Sequence, residues 1–158
     1  MFRNLKKRTE GFTIIEVLIV LAIAGLIMLI VFLAVPALQR NNRTTQLKNA
    51  AAAILATTNE FVTNNNGQMP TTAAVAANGD ITISGGAGTS AATGRTQGGY
   101  TASVGAALPA AGAATGNFTL ILNQKCNGNT ALTAAQRSFV VGFTVETSTT
   151  TIQQCVGS

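Results

Sequence analysis

The chain has 158 residues, of which 9% are charged and 47% hydrophobic, with seven Phe, one Tyr and no Trp. That length suits one domain and a tail, and the composition excludes a disordered polyampholyte, which needs high charge and low hydrophobicity. With no His, two Cys and only five carboxylates (Glu10, Glu16, Glu60, Asp80 and Glu146), the chain lacks the usual zinc ligand set and reads as no enzyme, with no catalytic, cofactor or metal residues.

The net charge of +5 is concentrated at the start, where Arg3, Lys6, Lys7 and Arg8 lie within eight residues. Beyond residue 11, six basic residues (Arg40, Arg43, Lys48, Arg95, Lys125 and Arg137) stand against four acidic ones, a balance of +2. Nucleic acid as a partner therefore has little support, and would need a patch built by subunit repetition.

From Val17 to Gln39 no residue is charged, a run of 23. Its apolar part, Val17-Leu18-Ile19-Val20-Leu21-Ala22-Ile23-Ala24-Gly25-Leu26-Ile27-Met28-Leu29-Ile30-Val31-Phe32-Leu33-Ala34-Val35, reads as a transmembrane helix, since a bilayer core takes about 20 such residues. Ala22-Ile23-Ala24 has the small-residue pattern of a secretory cleavage site, but it lies in the middle of the run rather than after it. Four basic residues precede the span and three follow closely, and the free amino terminus tips the orientation toward the N-terminus in the cytoplasm. Glu16 stands one residue before the span, inside the apolar stretch Phe12-Thr13-Ile14-Ile15. Burial alone leaves it either an interfacial acid marking the start of the span or a functional carboxylate with a partner.

The string Lys6-Lys7-Arg8-Thr9-Glu10-Gly11-Phe12-Thr13-Ile14-Ile15-Glu16 is a basic leader, a Gly-Phe junction and an acid four residues on, followed at once by the apolar helix. Over residues 3–40 it closely resembles the leader and N-terminal helix of type IV pilins and the related pseudopilins. The resemblance implies cleavage by a prepilin peptidase between Gly11 and Phe12 on the cytoplasmic side and N-methylation of Phe12 by the same enzyme. It also implies a homo-oligomeric helical filament built through the N-terminal helix, with Glu16 of one subunit facing the Phe12 amine of a neighbour and setting register. The implied partners are the peptidase/methyltransferase, an inner-membrane assembly platform and, before assembly, membrane lipid. The implied location is the inner membrane, single-pass, and after processing a cell-surface pilus (fimbrium) or a periplasmic pseudopilus. The principal reading is thus a prepilin, a structural filament subunit. The alternative is a pseudopilin of a type II secretion or DNA-uptake machine, and a further alternative is an uncleaved single-span membrane-anchored binding module.

Pro36 removes one helical hydrogen bond, so it either kinks the helix near residues 32–36 or ends it and begins a second. Residues 37–65 continue as helix, with Leu47, Ala51, Ile54, Leu55, Phe61 and Val62 forming one apolar stripe, and Asn64-Asn65-Asn66-Gly67 as the stop. In residues 71–116, Ala, Gly, Ser and Thr fill 35 of 46 positions. This stretch reads as loose and surface-exposed, with short strands at Asp80–Ser84 and Tyr100–Val104. Gly86-Ala87-Gly88-Thr89-Ser90-Ala91 formally fits a dinucleotide fingerprint but precedes no helical pattern.

Phe118–Leu122, Ser138–Glu146 and Thr150–Val156 read as strands, the last two as a hairpin, and residues 125–129 as a turn. Phe139, Val141, Phe143 and Val145 would cover the helix stripe. Cys126 and Cys155 are either two free buried thiols or a pair closing a loop of about 30 residues, a bond that needs an oxidising compartment. The pilin resemblance implies the bonded form, tying the last strand to the loop after Phe118–Leu122. The expected fold is α+β, a long hydrophobic helix kinked near Pro36 and packed at its C-terminal half on a small antiparallel sheet. Its expected segments are a leader at 1–11, a span and filament core at 12–39, an amphipathic continuation at 40–66, a variable loop region at 67–117 and strands with the Cys pair at 118–158.

Overall fold

The computed structural model describes residues 11–128 and 131–157. The basic leader residues Arg3, Lys6, Lys7 and Arg8, and Asn129 of the expected turn, lie outside the described residues. One helix, α1 (Ile14–Asn64), runs unbroken through Pro36. The reading in which Pro36 ends one helix and starts another therefore does not hold. The chain divides into two compact units between Gln39 and Arg40.

The first part of α1 is rich in Ile and Val, which in water favour strands. In a bilayer the backbone must satisfy its own hydrogen bonds, and a single segment can do that only as a helix. The second part carries the expected stripe: Leu47, Ala51, Ile54 and Phe61 are buried, with Leu55 and Val62 packed against them. Thr57 and Thr58 are buried too, because each hydroxyl bonds a carbonyl of its own helix, Ala53 O at 2.9 Å and Ile54 O at 2.8 Å. Asn66 and Gly67 take left-handed conformations and end the helix, with Gly67 N donating to Val62 O at 2.8 Å.

The Ala/Gly/Ser/Thr-rich stretch is more ordered than its composition indicates. It holds β1 (Thr72–Val75), β2 (Asp80–Ser84), β3 (Ala92–Arg95) and β4 (Thr101–Gly105). The strands β1-β2-β3 form an antiparallel sheet. Small residues let this sheet approach α1 closely: Ala73, Ile81, Ile83 and Ala92 are buried, and a Cβ on Gly94 would collide with Thr57 Oγ1. Composition alone hides this, since Thr and Ala serve equally in loops and in thin, close-packed sheets.

The second sheet has the order β4-β5-β6-β7, with β5 (Asn117–Asn127), β6 (Ala131–Glu146) and β7 (Thr151–Gly157) antiparallel and β4 parallel to β5. The expected small antiparallel sheet is therefore two sheets, one of them mixed. Phe118, Leu120, Val141, Phe143 and Val145 share one core cluster with α1, and Phe139 packs against it. The parallel pair needs a crossover, which residues 106–116 supply as a strap over the other face. A Cβ on Gly142 would meet Leu108 Cδ2 at 2.6 Å and Pro109 Cδ at 3.0 Å.

Cys126 and Cys155 are disulfide-bonded, Cα to Cα 5.8 Å. Cys126 lies within β5 rather than in a loop after it, and the strand continues through Asn127. In register, Cys126 pairs with Leu132 and Cys155 with Gly142. Ten residues of straight strand would separate those points by about 33 Å, so the distal half of the β5–β6 hairpin folds back. The bend falls at the bulge after Leu122, where Asn123 and Arg137 both adopt positive φ and Asn123 Oδ1 accepts Arg137 N at 3.3 Å. Cys126 and Leu132 then cover Ile121, Val140 and Cys155.

Candidate functional site

Gly11 and Phe12 precede α1 outside any helix or strand and are exposed, Phe12 at 88%. A Cβ on Gly11 would touch nothing within 4 Å. Among the described residues no packing requires glycine at this position.

Thr13 caps the helix. Glu16 N donates to Thr13 Oγ1 at 3.4 Å, and Thr13 N and Thr13 Oγ1 both donate to Glu16 Oε2, at 3.0 and 2.9 Å. This is a reciprocal capping box, which satisfies two of the donors that a helix start leaves free. A carboxylate here also faces the positive end of the helix dipole. Sequence reasoning placed Glu16 but missed Thr13, although Thr-x-x-Glu before an apolar run was the available signal. Oε1 accepts no hydrogen bond among the described residues.

Every residue from Val17 to Val35 is exposed. Exposure among its large apolar residues runs from 43% at Val35 to 77% at Phe32. Length and composition make this helix able to cross a membrane. Phe12, Glu16, Val17, Ile19, Val20 and Leu21 line an open groove of about 430 Å³ on its first turns. Phe12, the acid and the apolar surface are therefore contiguous at the start of α1.

The chain matches the family model of the prokaryotic N-terminal methylation motif over residues 6–32. It carries the type IV pilin and pseudopilin signature. No curated protein and no solved structure matches the chain. The pilin-type motif indicates a structural subunit, and with the apolar helix it fits a membrane-anchored protein.

The remaining candidates belong to the second unit. Cys126 and Cys155 are joined within the second unit. Gly86 to Ala91 form a turn closed by Thr89 Oγ1 donating to Gly86 O at 2.7 Å, and a strand, not a helix, follows. The phosphate-binding helix start that a dinucleotide site uses is therefore missing from this turn. Among the described residues no three His, Cys, Asp or Glu lie together. Two tertiary links had no sequence signal. The buried Asn65 donates to Phe61 O and Ser90 O and accepts Ser90 N, and Arg43 Nη1 reaches both oxygens of Glu146 at 3.1 and 3.2 Å.

Proposed function

We propose that this chain is a prepilin, cut between Gly11 and Phe12, N-methylated at Phe12 and assembled through α1 into a type IV pilus-like filament. The observation that carries the reading is the methylation motif set on a helix whose apolar first half is exposed among the described residues. In a bilayer lipid covers that half; in a filament the helices of neighbouring subunits do. The exposed Gly11–Phe12 junction suits a peptidase at the inner membrane surface, where Lys6, Lys7 and Arg8 would meet anionic lipid.

Cleavage creates a positive amine on Phe12. A carboxylate among packed apolar helices needs a partner, because an isolated buried charge is strongly unfavourable. The cap uses Glu16 Oε2, and Oε1 is free for a neighbour's amine. The pair would favour one axial offset between helices that otherwise slide. Before cleavage the amine does not exist, so the leader holds assembly back. The motif is equally that of pseudopilins, and a short periplasmic pseudopilus would use the same chemistry.

Mass spectrometry of the N-terminal peptide from the native cell tests this. The expected peptide begins at N-methyl-Phe12. A peptide beginning at Met1 or Phe2 would leave a single-span anchored domain and remove the filament reading.

A further inference from the structure

Arg40 is the first charge after the uncharged run. At 1.5 Å per residue, 23 helical residues span about 34 Å, close to the 30 Å hydrocarbon core, so Arg40 leaves the span at headgroup level. This placement rests on the membrane reading of Val17–Gln39. The fold brings to Arg40 a segment more than a hundred residues away: with Gly112 and Glu146, the turn Thr147–Thr151 and Arg40 line one open cleft of about 550 Å³.

That turn is held in shape. Thr147 N donates to Thr150 O at 2.7 Å, and Thr147 Oγ1 accepts Thr150 N at 3.1 Å. Ser148, Thr149 and Thr150 are exposed, and their hydroxyls make no hydrogen bond among the described residues. Arg40 is half-buried against this surface and has no carboxylate within ion-pair distance among the described residues. Glu146 is the one acid in the cleft, and Arg43 occupies both its oxygens while Thr115 Oγ1 lies 3.5 Å from one. The cleft thus presents one free guanidinium and three free hydroxyls.

We propose that Arg40 and the Thr147–Thr151 turn form a docking surface for the phosphate headgroups of an anionic membrane. Guanidinium and hydroxyl donors match phosphate oxygens, and a headgroup-rich surface lies where Arg40 emerges. Lys48, eight residues on, stands about 12 Å further along α1 and beyond the headgroup layer. The contact sets the depth of the span and holds the second unit at the lipid surface before assembly.

The test is hydrogen–deuterium exchange of the full chain in vesicles of phosphatidylcholine, with and without phosphatidylglycerol. Exchange at the Ser148–Thr150 amides should slow about fivefold with phosphatidylglycerol, the factor expected for one basic side chain at an anionic surface. Arg40→Gln and added salt should abolish the difference, Arg40→Lys should keep most of it, and Lys125→Gln, outside the cleft, should leave it unchanged. Equal exchange in both vesicles would overturn the proposal, as would slowing that survives Arg40→Gln. The amides of residues 17–35 report separately: protection there in both vesicles upholds the membrane reading, and its loss would overturn both.

Discussion

The two halves of α1 are both apolar on the side that matters, yet one is buried against sheets and the other is exposed among the described residues. Between Leu47 and Phe61 the stripe faces two sheets and is buried. Between Val17 and Val35 no residue is buried. The difference lies in patterning: the second half alternates apolar and polar faces, so one side suffices to bury it. The first half is apolar all round, and only lipid or several other helices can cover it. In the filament reading such a helix is a surface awaiting a partner, and the acid at its start would select one partner position.

Gly11→Val breaks the bare half most completely. Uncut chain should accumulate in the membrane and mature subunit should vanish from immunoblots; efficient processing would mean the junction is elsewhere. Glu16→Ala should leave insertion and cleavage intact but lower filament yield at least tenfold and impair methylation, as counted by electron microscopy and mass spectrometry. Thr13→Ala sharpens that result. It removes the cap hydroxyl and keeps the charge, so it should assemble far better than Glu16→Ala if the carboxylate acts on a neighbour. Equal defects in the two variants would show that the cap alone matters.

In the covered half, Phe61→Ala should cost about 3–5 kcal/mol in denaturant unfolding, because Phe61 is fully buried in the core cluster. Replacing both Cys126 and Cys155 by Ser should cost about 3.5 kcal/mol through the freed unfolded chain. Arg43→Ala should cost under about 1 kcal/mol, since the Arg43 side chain is 67% exposed and Glu146 34%. A loss as large as that of Phe61→Ala would mean the ion pair, not the apolar stripe, holds the hairpin to the helix.

The long apolar helix, the Gly-Phe pair, the acid at its start and the helix stripe were legible in the chain itself because they are local. Charge gaps, a Gly-Phe pair and a 3.6-residue period need no distant partner to be read. Thr13 was equally legible, as the first member of a Thr-x-x-Glu box. In residues 72–105 the strand at Asp80–Ser84 was legible, and so, to within a residue, was the one at Thr101–Gly105; Thr72–Val75 and Ala92–Arg95 were not, because Ala, Gly, Ser and Thr carry little periodic signal, and the close approach of Gly94 to Thr57 shows why small residues stand there. Neither was the parallel β4–β5 pair, nor the folding back of the β5–β6 hairpin that brings Cys126 to Cys155. Those depend on which segments meet across long stretches of chain, and so does the meeting of Arg40 with a turn at Thr147–Thr151. Local chemistry thus determined the apolar helix, the Gly-Phe pair before it and the acid at its start. Tertiary packing alone decided what surrounds Arg40, the first charge after the apolar run, because the turn at Thr147–Thr151 meets it only through the fold.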